Sequence, residues 1–241
     1  MIEEGVLENP KVQNMFGQHV FPDLEVGKVG FCPGKYMASA DEIHIRINGS
    51  GGHAALTDLY NNPIIPAAKL VVALEEYFLP YRSIPAVFAI GFVEANGYCN
   101  VIPDKVNLKG TFRTIDEDFR ENAHFHMQEI SNKIAKECVI DINFEIRKGY
   151  PALSNDIELT NEAIRYAKEY LGEGNVKDLS VRMTAEDFAY YCNEVPSCFY
   201  RLGTSNKDKG FVHGLHTSHF DIDENALEIG MGLMAYLAIR S

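Results

Sequence analysis

Asp41-Glu42-Ile43-His44-Ile45-Arg46-Ile47-Asn48 alternates strictly. Ile43, Ile45 and Ile47 share one face, with His44 and Arg46 on the other. Successive side chains of a strand point to opposite faces, so the stretch predicts a half-buried β-strand. Gly49, Gly51 and Gly52 end it. Downstream, residues 63–79 carry apolar side chains at helical spacing (Ile64, Ala67, Ala68, Val71, Val72, Leu74, Phe78), with Pro63 suited to a first turn. Residues 86–93 read as a buried strand, and Val106, Leu108, Gly110, Phe112 and Thr114 as an alternating one. Residues 116–138 predict a long amphipathic helix capped by Asp116, and Ile140, Ile142, Phe144 and Ile146 alternate again. The order over 41–148 is thus β-α-β-β-α-β, the split βαβ or ferredoxin-like pattern, with two helices expected on one face of an antiparallel sheet.

The flanks read differently. Met1 to Leu7 resembles the end of a helix that has no cap before it, and Val12 to Val20 a short buried strand. Beyond Pro151, helices are predicted over 156–171, 184–195 (Thr184 as cap, Asp187 in the first turn) and 224–239, and strands over 176–181 and 197–202. The fold class is α/β: a compact insert, residues 41–150, lies between segments 1–40 and 151–241 that form one further domain.

Composition narrows the function classes. The chain has 241 residues, 46% apolar and 23% charged, enough to bury a core. Lys+Arg number 22 and Asp+Glu 34, a net charge of −12 that disfavours nucleic acid as a partner. A ferredoxin-like RNA-binding module is disfavoured further, because no strand carries the aromatic pattern of such domains. Arg182 and Arg201 can still gather a small anion. The five cysteines (Cys32, Cys99, Cys138, Cys192, Cys198) are odd in number and form no CxxC, which fits a reducing compartment. No run approaches the ~20 apolar residues of a membrane helix, and the first residues are acidic. A cytoplasmic protein without membrane contact is the expectation.

Four groups of residues can carry chemistry. His19 closes an apolar stretch; a histidine there can ligate an ion or serve only structurally. His53 follows three glycines that let the backbone approach a neighbour closely. Glu186 and Asp187 stand together after Thr184. His213, His216 and His219 recur three apart before Asp221 and Asp223; such spacing in a loop brings at most one of them to a metal with any assurance.

Taken in order, Gly17-Gln-His19-Val-Phe-Pro, Gly51-Gly-His53-Ala-Ala, Cys99-Asn100-Val-Ile-Pro-Asp104, Gly110-Thr-Phe-Arg113-Thr, Ala185-Glu186-Asp187-Phe-Ala-Tyr-Tyr and Leu215-His216-xxx-Phe220-Asp221-x-Asp223-Glu224 resemble the aminoacylase-type di-metal amidohydrolases. The resemblance is greatest to the branch of indole-acetyl-amino-acid hydrolase, hippurate hydrolase and N-acetyl-diaminopimelate deacetylase. It covers essentially the whole chain. It implies a two-metal aminopeptidase-like catalytic domain carrying a ferredoxin-like insert that acts as lid and dimerisation surface. It implies two divalent ions (zinc, manganese or cobalt), with His19 and His216 as ligands of one each. His53 is then the oxyanion-stabilising histidine, Asn100 and Arg113 grip the substrate carbonyl and carboxylate, and Glu186 lines the cleft. The substrate is an N-acyl amino acid or small peptide, and the assembly a homodimer. The family's Cys- or Asp-Gly-His-Asp motif and its Glu-Glu pair have no counterpart in the chain. Glu3-Glu4 matches the helix that follows that pair, so the resemblance implies the C-terminal portion of the enzyme. The competing expectation is a non-catalytic dimerisation or partner module.

Overall fold

The computed structural model describes residues 1–81 and 83–241, and these divide into two compact units. One comprises Met1–Met37, Leu153–Arg182 and Glu186–Ser241; the other comprises Ala38–Ala152 and Met183–Ala185. In chain order the first unit begins with β1 (Met15–Glu25), β2 (Val29–Phe31) and β3 (Gly34–Met37). The second holds β4 (Asp41–Asn48), β5 (Gly52–His53), α1 (Ile64–Phe78), β6 (Ala86–Glu94), β7 (Val101–Ile102), β8 (Lys105–Thr114), α2 (Glu117–Cys138) and β9 (Asp141–Lys148). The chain then returns through β10 (Leu153–Asn155), α3 (Ile157–Leu171), β11 (Val176–Asp178), α4 (Ala189–Cys192), β12 (Ser197–Ser205) and α5 (Asn225–Arg240).

In the second unit the strands β6-β8-β4-β9 form a four-stranded sheet in that order, every pair antiparallel. Ile43, Ile45 and Ile47 are buried, as their alternation predicts, against Leu70 and Leu74 of α1 and Ala123, Met127 and Ile134 of α2. The Asp116 carboxylate accepts from the Phe119 backbone N–H at 2.9 Å and caps α2. The sheet's other face is polar: His44, Arg46, Asn107, Lys109, Glu145 and Arg147 line a cavity of about 420 Å³ over it. Asp41 departs from the sequence reading. It is not simply the first residue of a strand but a fully buried carboxylate.

In the first unit the sheet order is β1-β12-β2-β11. Its pairs are parallel except β12 with β2, which is antiparallel. Every residue of β12 is buried, because helices and loops cover both sheet faces. On one face Cys198, Tyr200 and Leu202 meet α3 and α5 through Leu159, Ala163, Tyr166, Leu233 and Leu237. On the other, Phe199 packs with Tyr36, Met37, Leu153, Phe188 and Ala189. Gly203 is required by close approach: a Cβ there would lie 2.1 Å from the Glu25 carbonyl oxygen. Asp156 caps α3 through the Leu159 N–H at 2.8 Å.

Two expected elements are corrected. Met1 to Leu7 forms turns rather than the end of a helix: Glu4 N–H bonds Met1 O and Gly5 N–H bonds Ile2 O, and Gly5 then adopts φ +79°. The expected helix over 184–195 is only α4. Thr184 is not a helix cap; its carbonyl accepts from the Ala38 N–H at 3.1 Å, residues 183–186 stay irregular, and the helix starts only at Ala189. The short strands β2, β3, β5, β7 and β10 carry no pattern long enough to read, and they exist through their partners. Among the described residues no helix is long and apolar enough to cross a membrane.

Candidate functional site

Parallel pairing places His19 opposite Arg201. Alternation then sends Gly17, His19 and Phe21 of β1 to the same sheet face as Phe199 and Arg201 of β12. Gly17 makes room for this face, since a Cβ there would lie 2.6 Å from the Phe199 ring and 2.8 Å from that of Phe188. The His19 ring meets Phe199 edge-on, centroids 6.2 Å apart. Its Nδ1 lies 2.7 Å from the Val20 carbonyl oxygen. A carbonyl can only accept, so Nδ1 carries the proton and Nε2 presents a lone pair. That is the tautomer metal-binding imidazoles adopt when a backbone carbonyl orients them.

Arg201 is 4% exposed. Its Nε donates to the Tyr36 hydroxyl at 3.1 Å and its guanidinium lies 5.0 Å from the Phe199 ring centre. Arg182 and Arg201 both lie over the Phe21 ring, at 4.7 and 5.8 Å, so the two cations read as an anion-gathering pair do share one surface. Glu186 is near enough to sense His19 and Arg201. It stands in the irregular stretch before α4, not in a first helical turn as expected. Burial raises the Glu186 carboxyl above its ordinary range, and the hydrogen bond with Asp187 raises it further, while His19 and Arg201 pull the other way. Removing the Arg201 charge with Arg201→Met is therefore expected to move Glu186 higher still. Carbon-detected NMR titration of the side-chain carboxyl reads this directly; an unmoved or lowered midpoint would show that Arg201 does not act on Glu186.

His53 and Asn100 are brought together in the second unit. His53 pairs with Val101 across the β5–β7 ladder, and the Ala54 N–H donates to the Asn100 carbonyl at 3.0 Å. The glycines before His53 serve close packing, as a Cβ on Gly51 would lie 2.5 Å from the Ile102 oxygen. His53 Nδ1 accepts from the Ala55 N–H at 3.2 Å. The ring's proton therefore sits on Nε2, which makes the exposed imidazole a hydrogen-bond donor at its outer edge. Arg113 lies on β8, and its Nη1 donates to the Met183 carbonyl at 3.3 Å. His216 is exposed, at φ +61° in the loop between β12 and α5.

Tyr36 is the member of this surface that no sequence pattern marks, and nothing in the sequence places Arg201 beside His19. The pairing register was the missing information, since nothing local ties residue 36 or 201 to residue 19. A two-ion centre is a further matter. Catalytic zinc takes three protein ligands per ion as a rule. Among the described residues no group of three or more His, Cys, Asp or Glu side chains converges as a metal site. The donors present do not complete such a centre.

The model of peptidase family M20/M25/M40 matches residues 1–240. The chain is 33% identical over 231 residues to the N-acetyl-L-cysteine deacetylase of Bacillus subtilis, covering 94% of this chain and 53% of that protein. It is 30% identical over 222 residues to the N-acetyldiaminopimelate deacetylase of Enterococcus faecalis, covering 90% of this chain and 56% of that one. Among solved structures it resembles the Bacillus subtilis YXEP protein, described as a dinuclear metal binding peptidase from M20 family. That match has a TM-score of 0.77 and 29% identity, over 99% of this chain and 59% of the other. The chain thus spans somewhat more than half the length of each of these relatives, between 53% and 59%.

Proposed function

Because the chain belongs to peptidase family M20/M25/M40, we propose that its protein hydrolyses the amide bond of an N-acyl amino acid or small peptide. Relatives named as deacetylases of N-acetyl amino acids support this substrate class. The observation that carries the reading is the His19 tautomer: Nδ1 is committed to the Val20 carbonyl, which leaves Nε2 as a ready ligand. On this reading His19 and His216 donate to one divalent ion each, with zinc, manganese or cobalt as the metal. Among the described residues no group of three or more His, Cys, Asp or Glu completes either ligand set. Nε2–H of His53 is a donor suited to negative charge developing on the amide oxygen. Asn100 and Arg113 bind the substrate's carbonyl and carboxylate, and Glu186 lines the cleft. The insert, residues 41–150, serves as lid and dimerisation surface.

The test is release of free amino acid from N-acetyl amino acids with each of the three metals, by this chain combined with the region of a relative that it does not cover. Turnover is expected, and His19→Ala is expected to lower it by about a hundredfold, since even an outer partner of a ligand is worth ten- to a hundredfold. No turnover with any metal would overturn the proposal. A second reading, a non-catalytic dimerisation or partner module, is favoured by the absence of a three-donor cluster among the described residues. It predicts a folded dimer by light scattering with loosely held metal and no activity in any combination.

A further inference from the structure

We propose that His213 and His219 form a two-imidazole site for a divalent transition ion of the zinc, nickel or copper class, distinct from the donors assigned above. The site is built by the loop between β12 and α5. Asp223 closes the base of that loop, accepting from the Asn206 side-chain amide at 2.5 Å and pairing with Lys209 Nζ at 3.0 Å. Asn206 and Phe211 exchange two backbone hydrogen bonds of 2.9 Å. Further along, Thr217 Oγ1 donates to the Gly214 carbonyl at 2.9 Å and the Phe220 N–H to the Thr217 carbonyl at 3.2 Å. Within the first of these two turns His216 takes a left-handed φ of +61°, which reverses the chain. Residues 213 and 219 are thereby folded onto each other.

Their rings stand 5.4 Å apart between centroids, with planes at 44°. A tetrahedral ion held by two imidazole nitrogens, each about 2.0–2.1 Å away, separates the ring centroids by about 5 Å. The observed spacing is therefore close to that of a chelating pair. Both rings are exposed, and among the described residues neither takes a hydrogen bond or ion pair. An ion therefore displaces no protein partner, and little ordering remains to be done on binding. The net charge of −12 raises the local concentration of cations. With two protein ligands, water fills the remaining positions, so the site is exchangeable.

The experiment titrates the full chain with nickel, zinc or copper chloride in competition with a chromophoric chelator, and follows the histidine ring signals by NMR. One ion per chain is expected, copper held more tightly than nickel or zinc. His213→Ala and His219→Ala should each weaken binding by about tenfold or more. His19→Ala should leave it unchanged, as should His216→Asn, since asparagine tolerates the left-handed turn. The side chains of residues 213, 216 and 219 are exposed and that of His19 is half-buried; circular dichroism verifies that the fold is kept in each variant. Undiminished binding in the His213→Ala/His219→Ala double variant, loss of binding in His19→Ala, or no binding by the unsubstituted chain would each overturn the proposal. Because His19 separates the two sites, failure here is distinguishable from failure of the hydrolase reading.

Discussion

Arg120→Ala is expected to destabilise the 38–152 unit by about 3–5 kcal/mol, the usual result of leaving a buried charge without its partner. Asp41 is 1% exposed and Arg120 4%. Arg120 donates to both Asp41 oxygens, through Nε at 2.9 Å and Nη2 at 2.5 Å. His124 Nε2 lies 2.7 Å from Asp41 Oδ2, and the Gly149 N–H donates to Oδ1 at 3.2 Å. Glu117 completes the cluster, pairing with Arg120 at 3.1 Å and accepting from the Ala152 N–H at 2.7 Å. The network therefore ties β4, the start of α2 and residues 149–152 together. Burial pushes the Asp41 carboxyl up, but the hydrogen bonds from Arg120 and His124 outweigh it and hold the group well below the usual carboxylate range. A carboxyl with a depressed folded pKa contributes stability that is complete above its ordinary pKa of about 4 and is lost as the pH falls below it.

In the Arg120→Ala variant the sign reverses. Asp41 is then a buried carboxylate without its main donor, and protonation relieves it. The deficit against the unsubstituted chain should thus be greatest near neutrality, shrink as the pH falls toward about 4 and Asp41 of the variant takes up a proton, and shrink further below it as the unsubstituted chain loses its own contribution. Urea unfolding, with hydrogen exchange read over residues 38–152, measures both effects. Asp41→Leu/Arg120→Met should recover part of the loss, because both charges leave together. A loss of about 1 kcal/mol or less, the size of an exposed pair, would show that water screens the cluster.

Phe112→Ala should cost a similar amount, about 3–5 kcal/mol, from lost burial and the cavity left behind. Phe112 is fully buried. Its ring lies 5.2 Å from Phe78, 6.1 Å from Phe119 and 5.9 Å from His124, centroid to centroid. It thus packs α1 and α2 onto the sheet and also supports the imidazole that Asp41 accepts from. Phe112→Ala and Arg120→Ala are expected to couple by about 0.5–3 kcal/mol in a double-mutant cycle, as groups in one network do. Additivity within about 0.5 kcal/mol would show that the aromatic cluster and the charge cluster act independently.

These two substitutions also mark the limit of what residue patterns reveal. Ile43, Ile45 and Ile47 announce their strand because alternation is a local property of adjacent side chains. Asp116 and Asp156 announce their helices because a cap bonds a backbone N–H only three residues away. The helix expected from Thr184 failed because a residue far along the chain, Ala38, claims the Thr184 carbonyl. Asp41 reads as an ordinary strand residue, since its partners Arg120, His124 and Gly149 lie far downstream. Likewise His19 and His53 stand out in their motifs, whereas their tautomers follow from the Val20 carbonyl and the Ala55 N–H as folded.

Local spacing thus established the β-α-β-β-α-β order, the main helices and the family motifs, since each depends on residues a few positions apart. Folding added the burial of Asp41, the pairing of His19 with Arg201 and the meeting of His213 with His219. Each of these joins groups through strand register or a chain reversal. Such geometry depends on which distant backbone groups satisfy one another's hydrogen bonds, and no local pattern encodes that choice.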